Sequence, residues 1–280
     1  MNILVTGATG RVGSRLVPRL LQRGDSVRIL VRDPDRAQTL KEQGAEIIVG
    51  DLLNAEALTR GVANMDAVIH LAAFFRGATP EESQTINLEG SIALARASID
   101  AGVPRFIFTS TNLVYGPGKG ELFKEDDPFH STAPYPKSKV AAEQALMELH
   151  RVHGLGLRIV RLAFVYGEGD PHLNEGLQWF RNWNPKQQIH MVHHADVAQA
   201  IMLATDKMGI DGNIYNVADN EPIEAAEIMK LFGESIADDA ASRALDPAWQ
   251  QYVDVTKIRR ELGFQAIYPT LRDADTARAL

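Results

Sequence analysis

The 280 residues contain no cysteine, which excludes disulfides, thiolate nucleophiles and cysteine metal ligands. They contain no run of about 18 apolar residues, so no membrane-spanning helix is expected. The chain opens "MNILVTG", with neither a basic segment nor an apolar one behind it, so no signal peptide is expected. Positive charge is in deficit: 29 Lys and Arg against 36 Asp and Glu give −7. Such a surface repels nucleic acid and anionic membranes, and neither is an expected partner. The expectation is a cytoplasmic protein acting on a small molecule. His193 and His194 invite a metal reading, but adjacent histidines do not converge on one ion and no carboxylate cluster supports them. No metal is expected.

What is present is a rhythm. Hydrophobic residues make up 45% and charged residues 23%, an ordinary globular balance. Apolar runs at 2–7, 26–32, 46–52, 66–73, 105–111, 157–164 and 213–219 alternate with helical patterns at 11–24, 34–43, 54–62, 85–101, 135–153 and 195–206. Strands apolar on both faces and separated by helices predict a doubly wound parallel α/β sheet. From about 167 the rhythm breaks. The segment "GEGDPHLNEGLQWFRNWNPKQQ" is rich in Gly, Pro and Asn and carries two of the three tryptophans. The expected division is a sheet domain of 1–166 plus 193–220, and a small substrate lobe of 167–192 plus 221–280.

"TGATGRVG" follows the first strand and opens the first helix, with glycines at Gly7, Gly10 and Gly13. Such a turn suits a dinucleotide (Rossmann) site: one glycine for the turn, one for close approach to a pyrophosphate, one for helix packing. The helix N-terminus adds free N–H groups and a positive dipole end. Arg11 and Val12 lie in the same turn. The second strand ends "ILVRDPDR". NAD calls for a carboxylate at the strand tip to hold the ribose hydroxyl. Here Val31 occupies that position, Arg32 follows it and Asp33 comes late. A guanidinium suits a 2′-phosphate, so NADP is favoured, with NAD possible; a solvated Arg32 is the alternative. Asp51 is a candidate near the adenine, or else a helix N-cap.

"YPKSK" places Tyr135 and Lys139 four residues apart on one helix face. A nearby ammonium favours the phenolate, so Tyr135 can exchange a proton with a substrate oxygen while Lys139 holds the nicotinamide ribose. At the carboxyl end of the fifth strand, Thr111 is the candidate for the hydroxyl that holds that oxygen, with Ser110 beside it.

These residues resemble the extended short-chain dehydrogenase/reductase family, also called the NAD-dependent epimerase/dehydratase family. The likeness runs through "TGATGRVG", "GDL", "HLAA", "NLEGSIALARA", "FTSTNLVYG", "YPKSK", "VRLAFVYGEGD", "HHADVAQAI" and "DVTKIRRELGF" in order. It implies that Gly7, Gly10 and Gly13 cradle the pyrophosphate and that Asp51 and Leu52 border the adenine. Leu71, Ala72 and Ala73 would line the cofactor cleft, with Ala163 and Val165 near the nicotinamide. Thr111, Tyr135 and Lys139 match the family's catalytic Ser/Thr, Tyr and Lys. A homodimer built on helices 85–101 and 135–153 is also implied.

Departures narrow the substrate. The 4,6-dehydratases carry an Asp-Glu pair where this chain has Asn112 and Leu113, so dehydration is not expected. Nucleotide-sugar epimerases carry an arginine for the diphosphate where this chain has Gln187 and Gln188; Lys186, Arg181 and His190 are the substitutes at hand. Trp179, Phe180 and Trp183 form either a ring-stacking wall or a small core. Arg76 is either a substrate contact or a solvated loop residue. The expected activity is hydride transfer between a nicotinamide and a secondary alcohol or ketone. The rivals are a sugar or nucleotide-sugar epimerase with tightly bound NAD, and a non-catalytic NADP sensor.

Overall fold

The structure, a computed structural model, describes residues 1–75 and 79–280. Arg76 lies outside the described residues. Strand β1 (Asn2–Thr6) is buried from Ile3 onward and runs into the glycine turn. Helix α1 (Gly13–Gln22) turns Leu16, Val17 and Leu20 inward, a stripe at helical spacing. It leads to β2 (Ser26–Val31), α2 (Gln38–Glu42), β3 (Glu46–Val49), α3 (Ala55–Val62) and β4 (Ala67–His70).

Helix α4 (Pro80–Gln84) starts earlier than the sequence pattern suggests. Thr79 and Glu82 form a capping box: the Thr79 hydroxyl accepts from Glu82 N at 3.1 Å and the Glu82 carboxylate from Thr79 N at 2.9 Å. One π-helical turn, Thr85–Glu89, joins α4 to α5 (Gly90–Asp100). Then follow β5 (Phe106–Thr111), α6 (Pro134–His153), β6 (Leu157–Leu162), β7 (Phe164–Tyr166) and α7 (His172–Phe180). Proline in the first turn of α6 needs no N–H there, and Gly154 ends the helix in the left-handed conformation. Strands β8 (Gln188–Ile189) and β9 (Met191–His193), helix α8 (His194–Asp206), β10 (Asn213–Val217), β11 (Ile223–Glu224), α9 (Ala225–Leu231), α10 (Thr256–Leu262) and α11 (Leu271–Thr276) complete the chain.

The main sheet has seven strands in the order β10-β6-β5-β4-β1-β2-β3. β1 pairs in parallel with β2 and β4, β2 with β3, and β4 with β5. All six residues of β5 and all four of β4 are buried, as strands covered on both faces must be. Edge strand β3 is the exception, with Val49 51% exposed. This is the doubly wound parallel α/β fold expected from the alternating pattern.

The chain divides into two compact units. Unit 1 is 1–111, 132–160 and 201–214; unit 2 is 112–131, 161–200 and 215–280. The chain leaves unit 1 after Thr111 at the carboxyl end of β5, after Val160 within β6 and after Ile214 near the start of β10, and returns to it after Ser131 and Ala200. Unit 1 has a core of Leu4, Val68, Phe106, Phe108, Leu146 and Ile159, among others. Unit 2 has its own, around Tyr166, Leu177, Phe180, Met191, Ile223 and Ile228, with two small pairings: β7 parallel to β9, β8 antiparallel to β11.

Unit 2 is wider than the lobe the sequence suggests. It also takes in 112–131, 161–166, 193–200 and 215–220. Backbone bonds explain the difference for 112–131: Phe123 N donates to Tyr252 O and Asp254 N to Phe123 O, both at 2.8 Å. The Asn112 side chain donates to Gln251 O at 2.9 Å.

Candidate active site

The glycine turn is built by close approach. Gly7 has φ +72°, and a Cβ there would lie 2.6 Å from Ala72 N. A Cβ on Gly13 would lie 2.3 Å from Gly7 O. Both positions are closed to other residues. At Gly10, by contrast, a Cβ would meet only Gly7 O, at 3.1 Å, and the residue is exposed. The open side of the turn is therefore at Gly10, beside exposed Arg11 and half-buried Val12. Helix α1 begins there with no side-chain cap and no acidic residue in its first turn, so its positive end remains available to an anion.

Val31 is buried and Arg32 exposed, with no partner among the described residues. Asp33 is turned back on its own loop and accepts from Asp35 N at 3.0 Å. Asp51 makes the same kind of turn, accepting from Leu53 N at 2.8 Å. It does not cap α3; Asn54 does, accepting from Ala57 N at 2.9 Å. The Leu52 side chain is packed in the core, tight against Gly90. Ala72 and Leu71 lie against Gly7, and Ala73 follows. Ala163 and Val165 belong to unit 2, where Ala163 N donates to Val217 O at 3.0 Å and Val165 O bonds to the His172 ring at 3.0 Å.

Thr111, Tyr135 and Lys139 all belong to unit 1. Thr111 is the buried last residue of β5, and Tyr135 and Lys139 stand one turn apart in α6. Lys139 is 2% exposed, with Nζ 4.0 Å from the centroid of the Phe108 ring. Desolvation pushes its amine down to about 7, with Glu143 opposing. The ammonium has no hydrogen-bond acceptor among the described residues, so it suits ribose hydroxyls. The Tyr135 hydroxyl likewise has no partner there, and burial raises its pKa above the usual tyrosine value. Added positive charge, or hydrogen bonds donated to the phenolate, would bring it down. The open glycine, the uncapped helix and the acceptor-less buried ammonium together fit a dinucleotide.

A buried chain of hydrogen bonds runs beneath these groups and was not legible in the sequence. The Thr6 hydroxyl lies 2.7 Å from His70 Nδ1, and His70 Nε2 lies 2.8 Å from Ser91 Oγ. Ser91 donates to Asn87 O at 2.6 Å. Its proton is thus committed, so it accepts from His70 Nε2–H, and Nδ1 accepts from Thr6. Desolvation first, then Lys139, holds His70 down to about 3, which keeps it neutral. Asn87, inside the π turn, donates to Ser138 Oγ at 2.9 Å, and Ser138 donates to Tyr135 O at 2.7 Å. The chain joins the strand before the glycine turn to the helix bearing Tyr135. The π turn supplies Asn87, as such turns often do at sites.

Other candidates have structural duties in unit 2. Arg181 is paired with Glu234 at 2.9 Å, and His190 bonds to Asp219 O and Val253 N at 3.0 and 3.1 Å. Gln187 accepts from Asp246 N at 2.7 Å, and Lys186 is exposed. His193 bonds to Ala279 O at 2.9 Å, whereas His194 pairs with Asp170 at 2.7 Å. Trp183 packs between Trp249 and Phe180, at 4.8 and 4.9 Å, and Trp179 lies 5.8 Å from Trp249. Trp183 and Trp249 rest on the core of unit 2.

Comparison with known proteins agrees with this architecture. Residues 3–218 match the model of the NAD dependent epimerase/dehydratase family. A 4-hydroxy-2-methyl-3-oxo-4-farnesyl-3,4-dihydroquinoline-1-oxide ketoreductase from Stigmatella aurantiaca is 31% identical, over 84% of this chain and 73% of its own. UDP-glucose 4-epimerase from Vibrio cholerae is 33% identical, over 91% and 79%. The dTDP-glucose 4,6-dehydratase from Streptomyces venezuelae, solved with NAD bound, superposes with a TM-score of 0.84 at 24% identity, covering 100% of this chain and 95% of that one. The chain belongs to the NAD-dependent epimerase/dehydratase family and is an enzyme of the extended short-chain dehydrogenase/reductase type.

Proposed function

We propose that the chain is an NADP-dependent oxidoreductase acting on a secondary alcohol or ketone. The observation that carries this is the pair in α6: a half-buried phenol and a buried ammonium, both without hydrogen-bond partners among the described residues. Tyr135 would donate its proton to the carbonyl oxygen in reduction and withdraw it in oxidation. Lys139 would hold the nicotinamide ribose and lower the phenol pKa by its charge. Thr111 would donate a hydrogen bond to the same substrate oxygen. Gly7, Gly10, Gly13 and the start of α1 would hold the pyrophosphate, and Arg32 with Arg11 the 2′-phosphate. The bound nicotinamide supplies or accepts the hydride. The turned-back Asp33 and exposed Arg32 support NADP over NAD. The Stigmatella ketoreductase supports the reaction class. We also propose a cytoplasmic homodimer formed through α5 and α6, with the bulk of unit 2 as the substrate lobe.

The second reading, an epimerase with retained NAD, draws on the Vibrio enzyme. Against it, Arg181 is engaged by Glu234 and His190 by backbone groups, which leaves little to hold a diphosphate. A sensor without activity is disfavoured by the intact Tyr135 and Lys139. Calorimetry on cofactor-stripped protein separates the readings. NADPH binding at least tenfold tighter than NADH, and weakened by Arg32→Ala, supports the reductase. NAD that survives purification and resists exchange makes the epimerase the better reading.

A further inference from the structure

Phe75 has no part in the roles assigned above. Its ring meets the Tyr135 ring edge-on, with centroids 4.7 Å apart and planes at 69°. Yet it is 45% exposed. A lone exposed phenylalanine needs no explanation; what marks this one is how firmly its neighbour is held. The Asn87 side chain bonds both backbone groups of Phe74, accepting from N at 2.7 Å and donating to O at 3.0 Å. The same amide donates to Ser138, which bonds Tyr135 O. The strand exit bearing Phe75 and the helix bearing Tyr135 therefore hang on one buried side chain. A half-exposed phenyl is held in place against the reactive phenol.

From this we infer that Phe75 is a substrate-binding residue and that the substrate turns an apolar ring face toward it beside the reacting carbon. The inference deepens the proposed function and rests on the role of Tyr135 given there. A phenyl edge offers neither donor nor acceptor. A sugar hydroxyl turned toward it would lose water and gain no partner, whereas an alicyclic or aromatic ring gains contact. Desolvation raises the Tyr135 pKa, in keeping with apolar surroundings for its ring.

The test is calorimetric titration of the NADPH-saturated protein, a state in which an alcohol binds without reacting. The probes are androst-5-ene-3β,17β-diol, a fused-ring secondary alcohol with no ketone, and UDP-glucose. Wild type should bind the steroid more tightly than UDP-glucose. Phe75→Ala should weaken steroid binding at least tenfold, Phe75→Leu should restore most of it, and NADPH affinity should stay unchanged in both. Steroid affinity unaltered by Phe75→Ala, or preference of the wild type for UDP-glucose, overturns the inference. Should NADPH fail to bind, the cofactor reading fails instead, and the same titrations with NADH still decide the role of Phe75.

Discussion

Each unit buries a polar network, and the two networks are of opposite kinds. In unit 1 the chain Thr6–His70–Ser91–Asn87–Ser138 consists of neutral groups passing one hydrogen bond to the next and ends on the backbone of Tyr135. In unit 2 the network is centred on a charge. Arg161, 1% exposed, donates to the Tyr115 hydroxyl at 2.7 Å and Glu125 O at 3.0 Å, and faces the rings of Tyr115 and Phe129. Tyr115 donates to Asn216 at 2.7 Å, and Asn216 N to the Glu125 carboxylate at 2.9 Å, whose pKa is raised by burial. A neutral chain can lose one link at modest cost. A buried charge stripped of its partners cannot stay where it is. The first network ends on the backbone of the residue proposed as the proton donor, and the second locks segment 112–131 to the strands of its own unit.

This contrast can be broken experimentally. Tyr135→Phe should reduce kcat by at least ~100-fold and leave the melting temperature unchanged, because its hydroxyl bonds nothing among the described residues; a large loss of stability would contradict that geometry. Tyr115→Phe removes a hydroxyl of the same kind but should do the reverse, lowering stability by about 1–3 kcal/mol in chemical denaturation with Kd for NADPH unaltered.

Lys139→Met should abolish turnover yet raise the melting temperature of the cofactor-free protein. The amine is held near 7 when folded and titrates near 10.5 when unfolded, so the unfolded chain binds more protons between those values. Wild-type stability should therefore rise with pH there by ~1.4 kcal/mol per unit, and Lys139→Met should remove that slope. Melts at pH 7, 8 and 9 check it. His70 gives the acid counterpart. Its folded pKa is depressed to about 3 from 6.5, so its contribution is intact above 6.5 and lost as pH falls toward 3. His70→Gln should flatten that part of the acid-denaturation curve. Ser91→Ala, which cuts one neutral link, should have the smallest effect, ~1 kcal/mol.

Much of unit 1 was legible because its signals are local. A strand ending in spaced glycines, and Tyr and Lys four apart on one helix, announce themselves within a few residues. The early start of α4 was legible too: "TPEE" is a Thr-x-x-Glu box with proline at the first helical position, and the expected helix at 85–101 simply missed it. His70 and Asn87 were a different matter. Both sit in recognisable strings, "HLAA" and "NLEG", but their duties come from partners 64, 21 and 51 positions away. No periodicity carries that information. The same holds for 112–131, whose membership of unit 2 depends on bonds to residues beyond 215. Asp51 was misplaced as a possible cap because Asn54, three residues on, offers the better-positioned oxygen.

All three tryptophans of the chain belong to unit 2, and unit 1 has none. Their emission is therefore a private signal of one half of the molecule, whereas far-ultraviolet dichroism follows both. If the units melt as one, the two signals must fall together; any interval between them shows that one unit outlasts the other. NADPH that binds the glycine turn would then shift the dichroism transition first and the fluorescence only through whatever coupling the units share.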